Sequence, residues 1–96
     1  MSRLLLAGLL VAGCAPSAPP VVTAADATRT HVALAELQEG RAMLVSKCSG
    51  CHVTPLPAEH RAGEWPLKLD EMADRSRLDT AQRRVIEAYL VAMAPR

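Results

Sequence analysis

Cys48 and Cys51 stand two residues apart, and His52 follows the second directly. Two thiols at that spacing, with an imidazole next in line, can attach a haem covalently. Each thiol adds across one vinyl group at the edge of the macrocycle and forms a thioether. A one-turn segment from Cys48 to Cys51 then carries His52 under the ring, where an imidazole nitrogen can bind iron. Two other chemistries use a Cys-x-x-Cys pair. A thioredoxin-like dithiol needs a strand ahead of it in a βαβ unit, and the residues before Cys48 are patterned as helix. A zinc site needs a second ligand pair at finger-like spacing, which Cys14, His31 and His60 do not supply. One covalent haem is the reading the motif favours.

The elements that must position this motif are helical. Over residues 30–47, Ala33, Leu37, Gly40, Leu44 and then Cys48 recur at steps of four, three, four and four, one face of a 3.6-residue period. Gly40 costs about 1 kcal/mol relative to alanine inside a helix, so its place on the apolar face implies close approach of another helix. Residues 53–63 hold Pro55, Pro57 and Gly63 and read as irregular chain wrapping the cofactor edge, with His60 in a solvated loop. Pro66 suits the first turn of a short helix over 65–74, on which Trp65, Leu69 and Met72 share a face. An iron held by His52 needs a group on its other side, and Met72 is the candidate, with Met93 as rival. Asp79 and Gln82 form a variant of the capping box. The last helix then runs to about Met93, with Ala81, Val85, Ala88, Tyr89 and Ala92 along one side and Arg83-Arg84 on a solvated one.

Composition bounds the rest. At 96 residues the chain holds one domain. Phe is absent, and Trp65 and Tyr89 are the only large aromatics. A domain of roughly 65 ordered residues buries little surface and gains from a cofactor that adds apolar bulk. Without Arg3, ten basic side chains balance ten acidic ones, a neutral chain unlike a nucleic-acid binder.

Residues 1–13 read as a secretory leader: Arg3 supplies the positive start, 4–12 the apolar run, and Ala12-Gly13 the small residues before a cleavage point. Val11-Ala12-Gly13-Cys14 resembles a bacterial lipobox, which makes Cys14 the expected lipidated N-terminus. Residues 14–30, with Pro16, Pro19 and Pro20, are expected to form a flexible tether, whose polyproline-like part would reach about 45 Å. The domain proper is then 31–96. Export, with attachment to a membrane on the periplasmic side, is the compartment both signals imply.

Taken together, the helix before Cys48-x-x-Cys51-His52, the loop, the Trp65…Met72 stretch and the final Tyr89-Leu90 helix resemble the class I cytochrome c fold. The likeness is to its short bacterial monohaem members and covers about residues 31–94. It implies an all-α fold of about three helices wrapped around haem c. It implies His52 as proximal ligand, with Met72 best matching the distal methionine. It also implies that Gly40 packs against Tyr89, and that the carbonyl of Pro55 or Pro57 orients the proximal histidine. The segment from His52 to Met72 is shorter than in mitochondrial cytochromes, so one haem edge should be more exposed.

The expected function is single-electron transfer outside the cytoplasm, not enzymatic catalysis. Expected partners are a dehydrogenase, an oxidase, a reductase or another cytochrome, met through brief, small interfaces. Alternatives are the cytochrome subunit of a specific dehydrogenase, a haem-based gas-binding or sensor module with an open sixth site, and a lipoprotein using Cys48 and Cys51 as a thiol pair.

Overall fold

Helix α4 (Thr80–Met93) touches every other element of the domain. The computed structural model describes residues 18–48 and 54–96, and the elements among them are all helical. Ahead of α4 come α1 (Ala24–Thr30), α2 (Leu34–Cys48), two 3-10 turns (Pro57–Glu59 and Ala62–Glu64) and α3 (Trp65–Ala73). The pairing of α2 with α4 is the largest contact, and α3 packs on α4 as well. A common third helix therefore holds both α2 and α3.

The apolar periods become a single core. Leu37 and Leu44 of α2, Trp65 and Leu69 of α3, and Ile86, Tyr89 and Leu90 of α4 are each at most 1% exposed. Ile86 and Leu90 widen the buried side of α4 beyond the expected stripe, while Ala81 lies exposed. Where α2 crosses α4, Gly40 makes the approach possible. A Cβ built there would lie 2.8 Å from Tyr89 Cβ and would run into the Val85 carbonyl oxygen. The contact implied by Gly40 is thus with one turn of α4.

The start of α4 is capped on both sides. Asp79 Oδ1 accepts from Gln82 N–H at 2.7 Å, and Gln82 Oε1 accepts from Asp79 N–H at 3.0 Å. Helix α3 ends in the chain reversal that carries Leu78 back onto the core. Arg77 takes a left-handed conformation (φ 52°), and Leu78 N–H reaches Ala73 O at 3.1 Å, which is the bond pattern of a Schellman stop. Arg84 lies on the expected solvated face and Arg83 is part-buried, and both also make ties between helices. Arg83 pairs with Asp70 and donates to Pro66 O, while Arg84 meets Glu36 of α2 at 3.0 Å. Such exposed pairs contribute about 0–1 kcal/mol each and mainly set register.

Residues 14–30 do not form a tether throughout. From Pro19 onward the chain is docked on the domain, which begins before residue 31 and has four α-helices among the described residues. Thr23 caps α1, accepting from Asp26 N–H, while the Asp26 carboxylate accepts from the backbone and hydroxyl of Thr23. These bonds, the backbone one foremost and with Arg29 adding to them, hold the Asp26 carboxyl below its ordinary value. His31 at φ 57° ends α1, so the helix expected from residue 30 starts at Leu34. Arg29 Nη2 also donates to Ala92 O, and Val22 and Ala27 join the core. The segment around Pro19 and Pro20 stays non-helical, and α1 begins only at Ala24.

Candidate functional site

Cys48 is the last residue of α2, eight positions after Gly40. The helix therefore places it about 12 Å along its axis from the crossing with α4. Its side chain is half-buried and packs against the core. Ser49, Gly50, Cys51, His52 and Val53 lie outside the described residues, as do Cys14 and the leader.

The chain is fixed again shortly after the motif. Pro57 is fully buried, and its carbonyl accepts from Trp65 Nε1 at 3.0 Å. Trp65 is itself 1% exposed at the start of α3, so this bond locks the loop to the helix that carries Met72. A buried indole N–H without a partner would be costly, and the proline carbonyl removes that cost. His60 is not a solvated loop residue: its ring meets Trp65 edge-on with centroids 4.9 Å apart, and its Nδ1 lies 3.7 Å from Glu64. It is held on the tryptophan, as an aromatic edge-to-face pair favours. His31 is exposed at the end of α1.

Met72 lies on the third turn of α3, half-buried and packed against the core. Its carbonyl accepts from Ser76 N–H at 3.0 Å, which fastens the helix end on which it sits. Met43 and Met93 are also partly buried against the core. The extensive contacts of α2 and α3 are with α4 and not with each other. The thiol at the end of α2 and the thioether on α3 are thus carried on two helices that share α4 as their support. Cys48 and Met72 each pack, partly buried, against the core.

A groove of about 740 Å³ lies elsewhere. His31, Val32, Pro66, Glu87, Val91 and Arg96 contribute to its walls, and neither Cys48 nor Met72 does. Among the described residues no three His, Cys, Asp or Glu side chains gather as a metal site.

Tyr89 links the core to the docked strap. Its ring is fully buried, and its hydroxyl donates to Pro20 O at 2.6 Å. Burial pushes this phenol up to about 12, against the opposing pull of the Arg41 charge. In the unfolded chain the group titrates near 10.0, so the fold favours the neutral phenol. The stability it contributes is complete below pH 10 and is lost as pH rises through about 12. The denaturation midpoint is expected to fall across that window, and Tyr89→Phe is expected to flatten the fall. An equally steep decline in the variant would assign it to other groups.

Compared with known protein-family models, curated proteins and solved structures, the chain matches none.

Proposed function

We propose that this chain is a membrane-tethered, monohaem c-type electron carrier working on the periplasmic side. The observation that carries the reading is the Cys48-Ser49-Gly50-Cys51-His52 motif, whose first cysteine closes α2, with a half-buried methionine on α3. Cys48 and Cys51 would attach the haem, His52 would be the proximal ligand and Met72 the distal one. When bound, such a group supplies a one-electron ferric–ferrous couple, and His/Met ligation raises its potential.

The chain's own part is to hold and enclose. Gly40 lets α2 approach α4 closely enough to exclude water from the core. The Trp65–Pro57 bond fixes the chain that returns from His52 to α3. The Leu78 reversal and the Asp79 cap fasten the far end of the α3–α4 connection. Together they hold Met72 at a set place relative to α2, a positioning role that needs no proton transfer and no nucleophile. The surrounding redox partners would be a dehydrogenase, oxidase, reductase or other cytochrome, bound weakly and briefly.

A reduced spectrum of the matured protein with and without carbon monoxide tests the ligand set. Unchanged bands are expected, because Met72 already fills the sixth position. A shift on adding carbon monoxide would favour an open, gas-binding site.

A further inference from the structure

The chain between the expected lipid anchor and the folded domain is short. Arg41 Nε donates to the carbonyls of Pro19 and Pro20, at 3.1 and 3.2 Å. The Tyr89 hydroxyl grips Pro20 O from the other side, and Val22 enters the core at 5% exposure. Only five residue steps separate Cys14 from Pro19, which cover at most about 18 Å when fully extended. A tether free through residue 30 would reach more than twice as far.

The point where the strap meets the domain also has the chemistry of a lipid contact. Residues 18–25 carry no charged side chain. Val21, between docked Pro20 and buried Val22, is 71% exposed, the most exposed large apolar side chain among the described residues. An aliphatic side chain fixed outward in water gains by burial in an apolar phase, and an anchor about 18 Å away brings that phase within reach.

We propose that the domain rests on the bilayer through residues 18–21, with Val21 at the lipid surface. The proposal depends on Cys14 carrying the lipid. It also narrows the partner class, because a carrier held this way exchanges electrons with redox proteins fixed in or on the same membrane.

The test uses the full chain in membranes of a host that matures it. The photo-crosslinker p-benzoylphenylalanine replaces Val21 in one variant and Leu67 in another. Leu67 is equally open, at 69% exposure, but sits on α3. Phospholipid adducts are expected at least ten-fold more often at position 21 than at 67. Equal yields, or none at 21 while the chain still sediments with membranes, would overturn the proposal and leave the anchor standing. Cys14→Ser is expected to release the chain. Its retention would remove the anchor and the proposal together. Thermolysin treatment of the same membranes gives a readout without substitution. Release of a folded fragment beginning at or before Pro20 is expected, whereas cuts at 21–33 that leave a folded remainder would overturn the docked strap.

Discussion

Gly40→Ala is expected to lower the melting temperature by about 10–15 °C, and Gly40→Leu to leave the domain unfolded at physiological temperature. The first methyl group already meets Tyr89 Cβ at 2.8 Å and the Val85 carbonyl oxygen. A flexible side chain can turn away from such a clash, but a helical backbone carbonyl cannot without moving α4. Overpacking typically costs about 1–3 kcal/mol, and a backbone obstacle puts this site at the upper end. The helix propensity gained on replacing glycine returns about 1 kcal/mol. A net loss of about 2 kcal/mol is a large share of the stability of a small domain. Leucine adds three more carbons at the same point. Thermal melts followed by helical circular dichroism check both variants. A Gly40→Ala protein as stable as the parent would mean that α2 and α4 do not approach this closely.

The second large effect is expected at Met72. In the matured protein, Met72→Ala should leave the haem covalently attached while opening its sixth position. The reduced variant should then bind carbon monoxide, and its potential should fall by on the order of 0.1 V or more, because methionine ligation favours the reduced state. The fold itself should survive, since Met72 is only half-buried and the fully buried face of α3 is Trp65 and Leu69. Potentiometry and the carbon monoxide spectrum read the effect independently of stability. Parent-like values in both would move the ligand to Met93 or elsewhere.

Much of the helical frame was legible because local and global signals agree. Leu37, Gly40 and Leu44 share the buried face of α2, and Trp65 and Leu69 that of α3, as their 3.6-residue spacing predicts. The Asp79–Gln82 cap lies where its side-chain pattern places it. Helix α1 was hidden for a physical reason. Thr23-Ala24-Ala25-Asp26 is a capping signal of the same kind, but three prolines precede it and no strong apolar period follows. Its stability comes from Val22 and Ala27 meeting the core and from Arg29 reaching Ala92 O, contacts between residues far apart in the chain. His60 was misplaced for a related reason, because its partner Trp65 is set by the three-dimensional path of the loop. The proposed site chemistry rests on the five-residue motif; the glycine on an apolar face implies close approach of another helix, while Tyr89 as its partner is implied only by the family resemblance. The bond from Trp65 to Pro57 has no signature in spacing.

The measurement that bears most directly on the central claim is a pyridine haemochrome spectrum of the full chain matured in a host with c-type haem attachment machinery, taken after acidified solvent extraction of free haem. One haem per chain is expected, with the band position of a macrocycle whose two vinyl groups have become thioethers. Cys48→Ser is expected to shift that band towards the single-thioether form. A parent protein without haem after extraction would contradict the account and leave Cys48 and Cys51 as a thiol or metal pair.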